Sequence, residues 1–332
     1  MNWASRQRPS VGRGALYVNI EDFRTATQRL ASRLGSTLSQ LRNTAGISQT
    51  GQGANSPPFG RVGRARIALV TIIDEEFGAA RDVFGLTDNI SGTPYFTTDA
   101  SGRDTWDIVL MQATDRSNVP VMGDISVLME ELRPQVIILL GVAGGLCNHE
   151  DKGRDGIKPG DVLIADQVTY VEFLKLEPNK GALMRSFAID HPSVALRKSI
   201  GTPIQKTFRI NDNLGGTSPP EDGEFKIHIG SIVSGEKVLG DVKSQVQQEL
   251  LKPFDKALAV DMESIGIARA VCDGRSSFWY HPRYVVIRGI SDLVSAADND
   301  TMRAGWKPFA AYTAALVACE FVRRLPVDRG TH

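Results

Sequence analysis

From residue 66 onward, short apolar runs alternate with stretches of helical periodicity. Residues 66–73 are largely β-branched, the pattern of a strand covered on both faces, and Asp74, Glu75 and Glu76 open a helical stretch that runs to Phe84. Residues 106–112 predict a second strand, and residues 122–132 a helix ended by Arg133-Pro134. A third strand, almost wholly apolar, is expected over residues 135–140. It empties into a glycine-rich loop, Gly141-Val142-Ala143-Gly144-Gly145. Between residue 174 and about 226 prolines and glycines recur, so long loops are expected there, with one helix around residues 193–200. The pattern sharpens at residues 227–233, a strand followed by Ser234-Gly235-Glu236-Lys237-Val238-Leu239. Residues 258–261 read as a short buried strand whose end delivers Met262 and Glu263 into a helix with Met262, Ile265, Ala268 and Val271 on one face. One more apolar strand, residues 283–290, runs into Ser291-Asp292 and then a polar loop over residues 295–303; residues 309–324 close the chain as an Ala-rich helix. Strand and helix alternating over residues 64–327 predict a three-layer α/β/α domain with a mixed, mostly parallel central sheet, and no internal repeat is visible.

Residues 1–63 read differently, as a separate extension. Phe23, Leu30, Leu34, Leu38 and Leu41 fall at helical spacing between residues 20 and 43, with Asn19 and Asp22 arranged like a helix start. One amphipathic helix cannot fold alone, so it is expected to dock on the main body, on a second subunit or on a partner protein. Residues 46–63, rich in Gly, Ser, Asn, Gln and Pro, read as a linker. Arg6, Arg8 and Arg13 stand in a stretch without an acid and without the apolar segment of a secretory signal, so a flexible basic tail is expected.

Charge narrows the choice of ligands. Among 332 residues, 38 basic side chains balance 38 acidic ones, so no net field draws nucleic acid or a membrane surface, and a small molecule fits better. No apolar run approaches the length that crosses a bilayer. An apolar share of 42% with 23% charged residues describes a soluble globular protein. Cys147, Cys272 and Cys319 lie far apart with no C-x-x-C pair, which predicts packed thiols in a reducing, cytoplasmic compartment. His149, His228 and His281 lack ligand spacing, so no metal is expected. Nor is a dinucleotide cofactor: residues 141–145 do not form G-x-G-x-x-G, and no helix follows them to receive a pyrophosphate. There is no Ser-His-Asp order and no G-x-S-x-G elbow.

Acids at strand ends are the candidate chemistry. Open α/β sheets place ligand groups where strands end, which favours Asp292 for a crevice. Glu263 sits among apolar neighbours, where an ionised carboxylate is costly without a partner. Either a structural hydrogen bond, with Asp261 as a helix cap, or a ligand must satisfy it. Glu76 is accounted for by the helix dipole or by a catalytic role. The glycines of residues 141–145 let backbone approach a sugar or an anion closely.

Val260-Asp261-Met262-Glu263 followed by Ile287-Arg288-Gly289-Ile290-Ser291-Asp292 resembles the V-[DE]-M-E and V-R-x-I-S-D turns of the nucleoside phosphorylase superfamily. Within it the match is to the nucleosidases that hydrolyse methylthioadenosine and adenosylhomocysteine. The loop at residues 141–145 is similar to that superfamily's G-[ST]-A-G-G, with Val142 where a hydroxyl residue usually sits, and residues 158–166 match closely too. The resemblance implies a nucleoside phosphorylase-like fold that breaks N-glycosidic bonds, a reaction that builds positive charge on ribose and negative charge on the departing base. It also implies roles: Asp292, supported by Ser291, donates to the purine N7; Glu263 holds the ribose hydroxyls; Met262 packs against the sugar; Glu76 activates water. Val142, Ala143, Gly144, Val238 and Leu239 are further substrate-binding candidates on the same ground.

The phosphorylase branch carries G-D-P-x-R after its first strand, where this chain has Thr71-Ile72-Ile73-Asp74-Glu75-Glu76. The added acids repel phosphate, so hydrolysis is expected over phosphorolysis. Methylthioadenosine nucleosidases stack an aromatic on the base near S-G-[DE]-x-F-[IV], whereas Val238 stands at that place here. Residues 289–311 also resemble a branch attached to multidomain immune-type proteins, some of which act on nucleotides. A purine nucleoside or nucleotide, adenine above all, is therefore the expected substrate, and Lys237 could meet a phosphate or stand as a solvated lysine. A phosphate-dependent phosphorylase and a non-catalytic nucleotide-sensing module are the alternatives. Superfamily members commonly form dimers or hexamers, which implies a homo-oligomer.

Overall fold

The computed structural model describes residues 66–90, 93–97, 107–146, 156–172, 174–177, 181–184, 189–237, 239, 243–274 and 280–326. The expected amino-terminal helix, the linker and Val238 lie outside the described residues.

The strands are β1 (Arg66–Thr71), β2 (Asp88–Asn89), β3 (Tyr95–Thr97), β4 (Asp107–Gln112), β5 (Val136–Gly145), β6 (Val162–Tyr170), β7 (Leu174–Glu177), β8 (Gly181–Met184), β9 (Ile189–Asp190), β10 (Ile227–Ser234), β11 (Ala257–Asp261) and β12 (Arg283–Leu293). Apart from the hairpin β7-β8, they form one sheet in the order β11-β10-β6-β12-β5-β1-β4-β3-β2, with β9 beside β6. Pairing is parallel through β4, β1, β5 and β12, and again through β6, β10 and β11. β12 meets β6 antiparallel, and Gly144 and Gly145 of β5 pair antiparallel with β11. That last pairing joins β11, β10, β6, β12 and β5 into a closed ring. The mixed, mostly parallel sheet is as expected.

Side chains alternate across the sheet and divide the core in two. Ile67 and Leu69 of β1, with Val136, Ile138 and Leu140 of β5, face one layer; Ala68 and Val70, with Ile137 and Leu139, face the other. On the first side lie α1 (Asp74–Phe84) and the long α7 (Asn299–Arg323); on the second lie α2 (Asn118–Leu132) and α6 (Ser264–Gly274). Short helices α3 (Val194–Leu196), α4 (Thr202–Thr207) and α5 (Gln245–Leu251) complete the set, α3 and α4 being joined by a π turn at Arg197–Gly201.

Four sequence expectations are corrected. The glycine-rich segment at residues 141–145 is strand, not loop: it continues β5 and pairs with Arg288 to Leu293 of β12. Its first glycine serves close packing, since a Cβ on Gly141 would stand 2.3 Å from Glu76 Oε1 and 2.4 Å from Arg288 Nη1. Met262 and Glu263 form a bend, and the helix begins only at Ser264. Segment 174–226 contains a hairpin, and helical structure persists to Thr207.

The largest departure is α7, which begins at Asn299 rather than after Pro308 and takes in most of the expected polar loop. Proline in a helix interior usually costs about 3 kcal/mol. Here Trp306 and Phe309 flank Pro308 and pack with Phe225, ring centroids 6.0 and 4.9 Å away, so tertiary contact overrides the local preference. A Cβ on Gly289 would stand 1.9 Å from the Ala310 carbonyl oxygen, which fixes α7 directly on β12.

Candidate active site

The carboxyl ends of β1, β5, β11 and β12 meet over one hollow of about 160 Å³. Glu76, Val142, Ala143, Gly144, Leu239, Met262, Glu263, Ser291 and Asp292 all line it, so every candidate among the described residues is brought to one place. The hollow shares Ile72, Ile73, Arg116 and Lys307 with an adjoining cavity of about 800 Å³. Alone it is smaller than the roughly 300–1,000 Å³ of common ligand pockets; with its neighbour it is ample.

Glu76 sits in the first turn of α1 and reaches back over it. Its Oε2 accepts from the backbone N–H of Ile72 at 2.7 Å and Ile73 at 3.2 Å, and Oε1 from that of Val142 at 2.8 Å. Val142 therefore contributes its N–H, which needs no hydroxyl side chain. Burial pushes the Glu76 carboxyl above its usual range, against the opposing pull of Arg288 and these three N–H groups.

Arg288 holds the acids together. It is fully buried in β12, with Nε 2.9 Å and Nη2 2.7 Å from Asp261 Oδ2, Nη2 3.1 Å from Glu263 Oε2, and Nη1 4.0 Å from Glu76 Oε1. Burial alone would push the guanidinium down, but the three carboxylates outweigh it and hold it above its ordinary value. Three acids against one cation leave excess negative charge in a buried place. Glu263 accordingly rises to about 7, through burial first, with Arg288 opposing and Asp261 and Glu76 adding to it. Asp261 also caps α6, its Oδ1 accepting from the N–H of Glu263 at 3.3 Å and Ser264 at 3.2 Å.

Glu263 is aimed from a second side. The backbone N–H of Ser117 lies 3.4 Å from its Oε1, and Ser117 has φ of 88°, a region that L side chains rarely adopt. The strained backbone is pinned by neighbours: Ser117 Oγ donates to Glu236, Asn118 Nδ2 donates to Glu236 Oε1 at 3.0 Å, and Ser234 Oγ donates to Asn118 Oδ1 at 3.0 Å.

Asp292, at the end of β12, is 1% exposed. Ser291 Oγ donates to its Oδ1 at 2.7 Å, Arg303 Nε to the same oxygen at 3.1 Å, and Arg303 Nη2 to Oδ2 at 2.9 Å. Lys237, at the rim, is paired to Glu172. Among the described residues no group of three or more His, Cys, Asp or Glu could hold a metal ion, and no helix is long and apolar enough to cross a membrane.

Residues 120–325 match the family model described as the phosphorylase superfamily. The chain belongs to that superfamily. The fold recurs in solved structures. A 5′-methylthioadenosine/S-adenosylhomocysteine nucleosidase from Neisseria meningitidis, in complex with methylthio-immucillin-A, superposes with a TM-score of 0.57 at 18% identity over 78% of this chain and 99% of that one. The futalosine hydrolase of Helicobacter pylori gives 0.56 at 17% identity over 79% and 98%. By sequence, the chain is 24% identical over 276 residues to the ATP nucleosidase Cap17 of Escherichia coli, covering 77% of this chain and 51% of the relative. It is 26% identical over 174 residues to a 5′-methylthioadenosine/S-adenosylhomocysteine nucleosidase of Staphylococcus aureus, covering 51% and 62%. The chain thus spans about half the length of the first of these relatives.

Sequence reading of the superfamily motifs missed the cations. Arg288 was the more findable: a lone charge inside an apolar strand needs buried partners. Arg303, Lys307 and Arg116 carried no such signal, because Arg303 stood at the end of an expected loop, Lys307 between that loop and the expected helix, and Arg116 in a polar segment.

Proposed function

We propose that this protein is an N-ribosyl hydrolase that cleaves the bond between ribose and a purine, adenine above all, in a nucleoside or nucleotide. The observation that carries it is the lining of one hollow by Glu76, Glu263 and Asp292, each delivered by a different strand end. Departure of the base needs a proton donor, and Asp292, oriented by Ser291, takes that role. Glu263, anchored by Arg288 and the Ser117 N–H, accepts from the ribose hydroxyls and faces the positive charge that grows on the sugar. Glu76, fixed by three backbone N–H groups, positions and polarises the attacking water. The logic parallels glycoside hydrolysis, where carboxyl groups flank an oxocarbenium-like transition state.

Water is favoured over phosphate as the nucleophile. The cation nearest Glu76 and Glu263 is Arg288, hydrogen-bonded to Asp261 and Glu263 and 4.0 Å from Glu76, and Asp74 and Glu75 line the adjoining cavity. The relatives named nucleosidase or hydrolase agree with this choice. Chromatography of free base released from a panel of purine nucleosides and nucleotides, without phosphate, tests it. Asp292→Asn is expected to lower that release by roughly 10²- to 10⁴-fold.

One observation favours a second reading, a binding module without turnover: Arg303 covers both oxygens of the group assigned as acid. Under it, Asp292→Asn changes binding and there is no base release to lose.

A further inference from the structure

We propose that the hollow selects a purine nucleotide over an uncharged nucleoside, with Arg303, Lys307 and Arg116 binding the phosphate on the ribose 5′ carbon. This rests on the N-ribosyl hydrolase reading. With Nε on Oδ1 and Nη2 on Oδ2, Arg303 occupies both oxygens of Asp292, and Ser291 takes a further place on Oδ1. Held in this way, Asp292 cannot offer a proton to a base nitrogen until the guanidinium moves. A phosphate presents a guanidinium with the same two-oxygen geometry as the carboxylate it would leave. Arg303 is a quarter exposed, so it has room to turn. The exchange breaks the ion pair between Arg303 and Asp292 and forms one with the phosphate, and the freed Asp292 takes up a proton from water before it donates to the base.

Two further cations stand beside it. Lys307 lies one turn along α7 on the same face, and both it and Arg116, from the segment after β4, line the hollow and the larger cavity alike. Lys307 holds Glu75 at 3.2 Å, whereas the Arg116 guanidinium meets no carboxylate among the described residues, its hydrogen bond running from the backbone N–H to Asp115. Beyond the shared wall the charge reverses, for Asp74, Glu75 and Asp115 line the larger cavity. An anion therefore finds its partners at the junction, beside Ile72 and Ile73 just after β1 and next to Glu76, the group assigned to the water that attacks the ribose. Lys237, the sequence candidate for a phosphate contact, lines the hollow like Arg303 but is held by Glu172 at its exposed rim.

The test compares kcat/KM for adenine release from adenosine, methylthioadenosine, AMP and ATP, with and without inorganic phosphate. A nucleotide is expected to exceed both uncharged nucleosides by on the order of tenfold or more, and Arg116→Ala and Lys307→Ala each to bring that ratio down toward one. Equal or faster release from the nucleosides overturns the inference, as does a ratio that neither variant moves. Acceleration by inorganic phosphate also overturns it, since the cations then serve the nucleophile. Calorimetric titration of Glu76→Gln with AMP and with adenosine reads the subsite without turnover. If none of the four substrates releases base, the hydrolase reading falls, and tighter binding of AMP than of adenosine still decides for the anion subsite, equal binding against it.

Discussion

Two residues govern the protonation and the position of the acids. Glu263 titrates near 7 in the folded protein, and as an acceptor for ribose hydroxyls it works ionised. The pH profile of kcat/KM for base release is therefore expected to rise through about pH 7, since that parameter reports the free enzyme. Glu263→Gln should remove the rise; a profile flat from pH 5 to 9 in the parent would refute the assignment. Gly141 controls position. A Cβ there would meet Glu76 Oε1 at 2.3 Å, and that oxygen is fixed by the Val142 N–H. Gly141→Ala is expected to displace Glu76 and lower kcat by about 10²-fold, the usual result of an ångström-scale misplacement. Steady-state kinetics beside a thermal melt separates this from unfolding. The acids were legible because their flanking apolar runs ended in recognisable turns. Their cations were not, because ion pairing across the sheet leaves no spacing along the chain: Arg288 is 27 residues from Asp261 and Arg303 is 11 from Asp292.

At the scale of elements, strands were read better than helix ends. A strand buried on both faces is a run of apolar residues whatever its partners, so β1, β5 and β12 announced themselves. α7 did not, because its first ten residues owe their helicity to packing around Trp306 and Phe309 rather than to propensity. That correction carries functional weight, for it sets Arg303 and Lys307 one turn apart over the hollow. The contact that seats α7 is Gly289 against the Ala310 carbonyl, backbone against backbone. Gly289→Ala is expected to cost about 1–3 kcal/mol or more in urea unfolding, as overpacking does where nothing can yield. It should also weaken base release by shifting α7. Gly78, inside α1 with nothing within 4 Å of its absent Cβ, is the control: Gly78→Ala is expected to stabilise by roughly 0.5–1 kcal/mol. A loss at Gly289 no larger than the change at Gly78 would mean that α7 is not seated there.

For the whole molecule, the layered α/β architecture followed from alternating elements, but the closure of five strands into a ring did not. That closure depends on Gly144 and Gly145 meeting β11 across the site, a long-range pairing without a local signature. It brings Asp261 and Glu263 to the same buried spot as Glu76, so the fold itself concentrates negative charge around one arginine. Stability should therefore depend on pH in a direction opposite to that of a salt-bridged surface acid. Glu263 has a folded-state value of about 7 against an ordinary 4.5, so between these the folded protein keeps a proton that the unfolded chain has lost. Its contribution is fully present below about pH 4.5 and is lost as pH rises toward 7, with Glu76 shifted in the same direction. At about 1.36 kcal/mol per pH unit the span amounts to at most roughly 3 kcal/mol for Glu263. Urea unfolding at pH 5, 6, 7 and 8 measures it, with Glu263→Gln removing the titration while keeping the shape. The stability difference between parent and variant is expected to shift against the parent as pH rises from 5 to 7 and then level off. A difference that stays constant across that range would show that Glu263 is ionised throughout, with Arg288 neutralising it more completely than burial penalises it.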